Sequence, residues 1–370
     1  MNDIAARVSA EELLKFCSSV FVAAGLPSED AALSATVLVR ADLRGIPSHG
    51  VGRMGRYIRG LDSRQMIPGI KEELIRETPV GIVVDANGGM GFPVSCRTMS
   101  KVIEKAEKTG LAWGCVRNSN HFGIAGFYSM MALEHDMIGV AMTNTAALGV
   151  PTFGRDVRFG TNPMSFCAPA GKHRPFVLDM ATTGVTRGKL EVYQRLQKPL
   201  PDGWAVDADG MPAKDAGRVL DDMLSRKGGG LLPLGGLGEL FGGHKGYGLA
   251  VMVDILCALL ADAPTGSDVF DTPETSARVS HCFGALKISA FTDPGRFKEN
   301  MDHLINDLHS TPPAKNCDQV YYAGEKEFEN EAFNQIHGVP LDGKTLESLL
   351  ALSKRFQIPF PEQKTNKEEE

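Results

Sequence analysis

Leu111-Ala-Trp-Gly-Cys-Val-Arg-Asn-Ser-Asn-His-Phe-Gly123 changes character at its middle. Residues 111–116 are apolar enough for a strand, the next few form a polar turn, and Gly123 to Asp136 reads as a helix. Ligands in α/β proteins gather at the carboxyl ends of strands, where such turns lie. His121 therefore stands where an imidazole can meet a substrate. A place at a helix start biases it toward the neutral form, which accepts a proton from an alcohol. Asn118, Ser119 and Asn120 beside it can orient the ring or bind substrate oxygens. A structural turn with a polar cap accounts for the same residues equally well.

Upstream, the chain reads as helices. Ser9 and Glu12 form a capping box before Leu13, and Gly25 closes that helix. Ser28 opens a second helix that runs to Gly45, and Ser48 caps a third up to Leu61. On that third helix His49, Arg53 and Tyr57 are spaced by four and share one face, with Ser48 at its start. The stripe offers an acid/base, a cation that grips a carboxylate with two parallel bonds, and a phenol. That set suits a 2-hydroxy or 2-oxo acid. A capped, solvated basic helix is the plain alternative.

Downstream, residues 81–85 read as a strand and Pro93 to Lys108 as a helix stopped by Gly110. Residues 138–142 and 176–178 read as further strands. Residues 197–236 are rich in Pro, Gly and Asp and read as an irregular excursion. A buried helix is expected over 246–262, an amphipathic one over 294–310, a last one over 345–356, and a disordered tail over 364–370.

Two glycine-rich stretches compete as phosphate sites. Gly242-Gly-His-Lys-Gly-Tyr-Gly248 feeds a helix start and carries Lys245 as a point charge. Gly338-Val-Pro-Leu-Asp-Gly-Lys-Thr345 spells a nucleotide-binding loop, but the residues before it look helical and polar, and Pro340 removes a backbone donor. We read it as a turn. No G-x-G-x-x-G is present, so a standard dinucleotide fold is not supported. Asp179, closing the strand at 176–178, suits a ribose, a histidine or a simple helix cap.

With 39 basic and 45 acidic residues the net charge is −6, which argues against nucleic acid as the main partner and requires any anion-binding charge to be local. Seven scattered cysteines without C-x-x-C spacing suggest reduced, buried thiols in a cytoplasmic protein. No signal peptide and no run of about 18 apolar residues is expected from the sequence.

Taken in order, Gly45-Ile-Pro-Ser-His-Gly-Val-Gly-Arg53, Asn118-Ser-Asn-His-Phe-Gly123, Gly160-Thr-Asn-Pro163, Asp179-Met-Ala-Thr182 and Gly243-His-Lys-Gly-Tyr-Gly248 resemble the second-type malate/L-lactate dehydrogenases. The likeness runs from about residue 9 to about 356. That family also includes sulfolactate and ureidoglycolate dehydrogenases, a diketogulonate reductase and cyclic-imine reductases. The resemblance implies an α/β fold with an atypical, non-Rossmann NAD(P)-binding domain built on a mixed sheet, beside a largely helical domain of the chain ends. The expected division is 1–115 with 296–363 as the helical substrate domain and 116–295 as the cofactor domain. It implies NAD or NADP, no metal, no membrane, and a homodimer with the active site near the interface.

By motif, His121 is the expected proton acceptor, while Ser48, His49, Arg53 and Tyr57 shape the substrate site with Asn144 and Thr145 beside it. Gly160, Thr161, Asn162, Asp179, Met180, Ala181, Lys245, Gly324 and Glu325 are the expected cofactor contacts. Pro47, Ala323, Arg187 and a long stretch over 234–243 depart from the family's usual pattern. The implied reaction is hydride transfer between nicotinamide and C2 of a small 2-hydroxy acid. Malate ranks first, then L-lactate, sulfolactate and ureidoglycolate; reduction of a cyclic imine such as piperideine-2-carboxylate is the alternative.

Overall fold

The computed structural model describes residues 4–272 and 274–364. The chain opens with β1 (Ile4–Val8), α1 (Ala10–Ala23) and α2 (Ser28–Leu43). Two single 3₁₀ turns, Pro47–His49 and Val51–Arg53, lead into α3 (Met54–Asp62). Next come β2 (Glu73–Glu77), β3 (Gly81–Asp85), α4 (Gly91–Thr109), β4 (Leu111–Ser119), α5 (Ala125–Met130), β5 (Met137–Thr143), β6 (Met164–Ala168) and β7 (Phe176–Met180). The middle holds α6 (Arg187–Arg195), β8 (Ala205–Val206), α7 (Ala216–Leu224), β9 (Gly230–Leu231) and α8 (Gly243–Cys257). The chain closes with β10 (Val279–Lys287), α9 (Pro294–Ser310), α10 (Glu325–His337), β11 (Val339–Asp342), α11 (Gly343–Phe356) and β12 (Gln363–Lys364).

Seven strands form one mixed sheet in the order β2-β3-β4-β10-β5-β6-β7. Only β3 and β4 pair in parallel, joined through α4; the remaining pairs are antiparallel. The central strand β10 is buried over its first seven residues, as expected for a strand covered on both faces. This order has a direct consequence for function. β4 and β5 both run antiparallel to β10, so they end on the same edge, with Ser119 opposite Val279 and Thr143 opposite His281. β6 begins at that edge and β7 ends there, since Met164 pairs with Met180. The turns at 120–123, 144–145, 160–162 and 181–182 are therefore collected along one side of the sheet.

The main core runs from α1 and α2 through α4 and α5 to the sheet, with Leu13, Leu38, Met99, Tyr128 and Phe283 fully buried. Burying each such side chain contributes about 1.5–3 kcal/mol. Gly110 ends α4 in the left-handed conformation (φ 87°), as its position suggests. A separate three-stranded sheet, β11-β1-β12, joins the two ends of the described chain.

Several local expectations need correction. Ser9 precedes α1 but makes no capping hydrogen bond, and α2, which begins at Ser28 as expected, ends at Leu43. The third helix starts at Met54, not at Ser48, so His49 and Arg53 lie on two separate 3₁₀ turns. The helix expected over 123–136 is a short α5 followed by a 3₁₀ turn. Asp179 lies inside β7 and caps nothing in its own chain segment.

Residues 197–236 are not irregular. They hold β8, α7 and β9, and with α6 they enclose their own small core of Leu190, Leu200, Val206, Leu220 and Leu231. α8 starts three residues earlier than expected. It packs Val253 and Cys257 against Cys115, Met142 and Cys282 of the sheet, but leaves Val251 and Ile255 exposed. The segment Gly243–Ala261 is long and apolar enough by length and mean composition to cross a membrane, but His244, Lys245 and Asp254 interrupt it, so it is not a continuous apolar run. Lys364, expected in the tail, belongs to β12; 365–370 lie outside the described residues. All seven cysteines are free, and only Cys317 is exposed.

Candidate active site

A cleft of about 460 Å³ opens at the collecting edge of the sheet. One wall is the 48–53 segment and the opposite side is formed by the turns after β4 and β5. His121 has its Nδ1 doubly engaged: the Tyr57 hydroxyl lies 2.7 Å away and the Gly123 amide donates to it at 3.2 Å. An amide can only donate, so Nδ1 is an acceptor and the neutral ring carries its proton on Nε2. Nε2 is then the nitrogen left for a ligand. Gly123 sits at φ +82°, which explains the glycine where its amide must turn back onto the ring. Tyr57 is fully buried behind His121, and burial pushes its phenol up to about 12.

His49 stacks on His121 with ring centres 5.5 Å apart and planes 21° apart. Its Nδ1 lies 2.9 Å from the Ser48 hydroxyl. Burial, then the nearby Arg53 charge, lowers His49 to about 4. The same causes, with His49 added, hold His121 well below its ordinary value. Both rings are therefore neutral at pH 7. The sequence suggests a helix dipole as the cause; the structure assigns the effect to burial and to Arg53. The Arg53 Nε donates to the Ser48 carbonyl, which folds the guanidinium back over the turn.

The other expected residues divide into groups. Asn144, Thr145 and Thr161 line the cleft with Ser48, His49, Arg53 and His121. Asn162 is buried beneath it, its Oδ1 accepting from the Thr145 amide. A methyl group on Gly160 would meet the Thr145 side chain at 2.2 Å, so that glycine permits close packing of the two turns. Asp179 and Gly324 line a different cavity of about 170 Å³, together with Arg44 and Glu327. The Asp179 carboxylate accepts from the Gly126 amide at 2.7 Å, and burial raises it to about 6. Met180 and Ala181 continue from Asp179 but are absent from the cleft lining. Lys245 is exposed near the start of α8, outside the cleft. Glu325 pairs with His309 at 3.0 Å.

Asn118 and Asn120, read as ligands or orienting groups, anchor the turn instead. Asn118 donates to Asp85, and Asn120 to the carbonyls of Gly88 and Gly89.

Sequence reasoning missed three supports. His281, read as a surface or packing residue, is fully buried. It bridges Ser119 and Thr143 at 2.8 Å each and stacks on Phe122 at 4.5 Å. Asp254 on α8 accepts from the side-chain amides of both Asn144 and Asn162, at 3.2 and 3.1 Å. A lone acid inside an apolar helical run was the available signal, because a buried charge needs partners. Asp42 on α2 is 4 % exposed and accepts the Val51 amide at 2.7 Å.

The cleft is also positively lined. Arg53, Arg56, Arg187, Arg226 and Arg278 face it, against Asp271 as its one acidic lining residue. That concentration supplies locally the positive charge the acidic chain lacks overall. Together with the Thr145 and Thr161 hydroxyls, it fits an anionic acid beside the nicotinamide end of a dinucleotide, and the volume lies within the ordinary range for small-ligand sites.

The sequence model described as malate/L-lactate dehydrogenase matches residues 8–350. The malate dehydrogenase of Pyrococcus abyssi is 42% identical over 352 residues, covering 95% of each chain. The L-sulfolactate dehydrogenase of Methanocaldococcus jannaschii is 36% identical over 309 residues, 83% of this chain and 85% of that one. Among solved structures, the malate dehydrogenase of Entamoeba histolytica superposes with a TM-score of 0.92 at 33% identity, covering 96% of this chain and 99% of that one. The chain therefore belongs to the malate/L-lactate dehydrogenase family and is an oxidoreductase of small 2-hydroxy acids that uses a nicotinamide cofactor.

Proposed function

We propose that the protein interconverts malate and oxaloacetate, with His121 as the group that moves the proton. The observation that carries this reading is the stacked pair His49–His121 facing an arginine-lined cleft. The bound nicotinamide supplies or accepts the hydride at C2. Arg53 holds the C1 carboxylate. On reduction His121, first protonated from solvent, gives its Nε2 proton to the 2-oxygen and returns to the neutral ring, and on oxidation the bare Nε2 of the neutral ring takes the hydroxyl proton. The Tyr57 hydroxyl orients the ring at Nδ1, donating to that nitrogen when it is bare and accepting from it when it carries the ring proton. His49, held by Ser48, hydrogen-bonds the 2-oxygen or shares the proton.

Arg187 stands at the first turn of α6 and faces the same cleft. Its partner Glu191, 2.8 Å away, is near enough to act on the Arg53 charge. Although Glu191 already pairs with it, Arg187 lines the cleft together with Arg53 and adds a second guanidinium there. We therefore assign Arg187 to the second carboxylate of malate. Gly160, Thr161, Asn162, Asp179–Ala181 and Lys245 of a cofactor domain of 116–295, with Gly324 and Glu325 from the 1–115 plus 296–363 domain, make up the proposed cofactor contacts. A homodimer in the cytoplasm completes the proposal.

The test is absorbance at the reduced-nicotinamide band, with oxaloacetate, sulfopyruvate, pyruvate, oxalurate and piperideine-2-carboxylate run separately against NADH and NADPH. Oxaloacetate should be consumed with a higher kcat/KM than pyruvate, and Arg187→Ala should narrow that gap. Equal rates on both acids would remove the dicarboxylate assignment; consumption of the imine alone would move the protein to the reductase branch.

A further inference from the structure

The 47–53 segment carries Ser48, His49 and Arg53, yet it is not a regular helix. Its two turns are separated at Gly50, whose backbone is extended (φ −90°, ψ −159°). Any residue can adopt that conformation, so strain does not explain the glycine. Space does. A Cβ at residue 50 would lie 2.0 Å from Oδ1, 2.2 Å from Cγ and 2.2 Å from Oδ2 of Asp42. The same carboxyl accepts the amide of Val51 at 2.7 Å. Asp42 thus presses on one residue of the break and hydrogen-bonds the next. It supplies from α2 the cap that Ser48 fails to supply from within.

We infer that Asp42 is the positioning residue of the catalytic turn: its carboxyl imposes the break at Gly50 that puts His49 on the His121 ring and leaves Arg53 folded over Ser48. The inference rests on the functional reading above, since it gives Asp42 its role through those side chains. Without this tie, the spacing of His49, Arg53 and Tyr57 favours one continuous helix, in which all three would lie in a row. The observed site has a different layout. Tyr57 reaches His121 from below, and His49 stacks on it from the turn.

The chemistry of the tie is that of a neutral acceptor. Burial, opposed by the Val51 amide and helped by the nearby Asp342 charge, raises the Asp42 carboxyl to about 8. Cys17 on α1 also faces it, its thiol raised by burial. Asp342 is itself occupied by the amide and hydroxyl of Thr345. An amide in place of the carboxyl keeps the acceptor and the shape, whereas a methyl keeps neither.

The experiment is a double-mutant cycle on the full chain with Asp42→Ala, Asp42→Asn, Gly50→Ala and the Asp42→Ala/Gly50→Ala pair. Steady-state kinetics and thermal unfolding are read together. Asp42→Ala should lower kcat for the 2-oxo acid by about tenfold or more, because small misplacements of reacting groups cost that much. The KM for the reduced nicotinamide should change by less than about twofold, and Asp42→Asn should restore most of kcat. Gly50→Ala should reproduce the loss, and its cost in Tm should shrink when Asp42 is already Ala, since removing the carboxyl removes the collision. Should Asp42→Ala not fold, Gly50→Ala and Asp42→Asn decide alone. Full activity in Gly50→Ala, or an inactive but folded Asp42→Asn, overturns the inference. So does a Gly50→Ala penalty independent of Asp42. Absence of turnover in the unmodified protein overturns the functional reading and the positioning role together, whereas normal turnover with uncoupled variants overturns the role alone.

Discussion

The two histidines of the cleft are neighbours in space but are built in opposite ways. His121 sits at the end of a strand inside the sheet, with a phenol and an amide on one ring nitrogen and the Ser119–His281–Thr143 bridge beneath the turn. His49 sits on a short turn whose conformation is imposed by a side chain from α2. The first is held by regular hydrogen bonding that extends across three strands. The second is held by one carboxyl and one hydroxyl. Rigid support belongs with the group that must keep one tautomer, and a local tie suffices for the group that completes the wall.

The contrast breaks hardest at His121. His121→Ala should lower kcat by about 10²–10⁴-fold while the reduced nicotinamide still binds, read by its fluorescence. Retained turnover would mean that His49 is the proton carrier. Next comes Arg53→Lys, which should raise KM for the 2-oxo acid by about tenfold with a smaller change in kcat, because a point charge cannot replace the guanidinium fork; an unchanged KM would detach Arg53 from the carboxylate.

A pH titration sharpens the comparison further. His49 is lowered to about 4 and His281 to about 3, while His121 also lies well below 6.5. The unfolded chain takes up these protons first as pH falls below about 6.5. The stability they confer is complete above that value and is lost as pH falls through 4 and 3. Tm should therefore decline steadily from pH 6.5 to 4, and a flat profile would show that the rings are not buried neutral. The smallest effect is expected far away. Lys344→Ala, in the stretch that spells a phosphate loop, should leave turnover unchanged and shift stability by under about 0.5 kcal/mol. The stretch expected as a turn is instead strand β11 leading into α11, which Asp342 caps through the Thr345 amide, so its residues already have a structural part.

What the sequence made readable follows from how local each cause is. His121 was visible because a strand exit, a polar turn and a glycine are consecutive. Gly110 was visible as a helix stop for the same reason. The 48–57 stripe was misread because its break at Gly50 is caused by Asp42, eight residues upstream and on another helix. His281 was overlooked because its partners, Ser119 and Thr143, come from two other strands and only the sheet order brings them to it. The unit around α6 and α7 was taken for loop because its strands are two residues each, too short to show alternation. Asp254 needed knowledge of which face of α8 meets the cleft.

The small sheet that joins the chain ends sets a schedule for synthesis. Arg7 of β1 is hydrogen-bonded to Gly338, 331 residues later, and Gly52 of the 47–53 segment packs against Thr345 on α11. Neither contact exists until residues 338–345 have left the ribosome. Ser48, His49 and Arg53 emerge early with the Asp42 that holds their turn, whereas Thr345, which packs on Gly52, comes about 300 residues later and must close a long loop. A nascent chain therefore presents the sheet edge and His121 for folding before residues 338–345 emerge to meet β1 and the turn that carries Arg53.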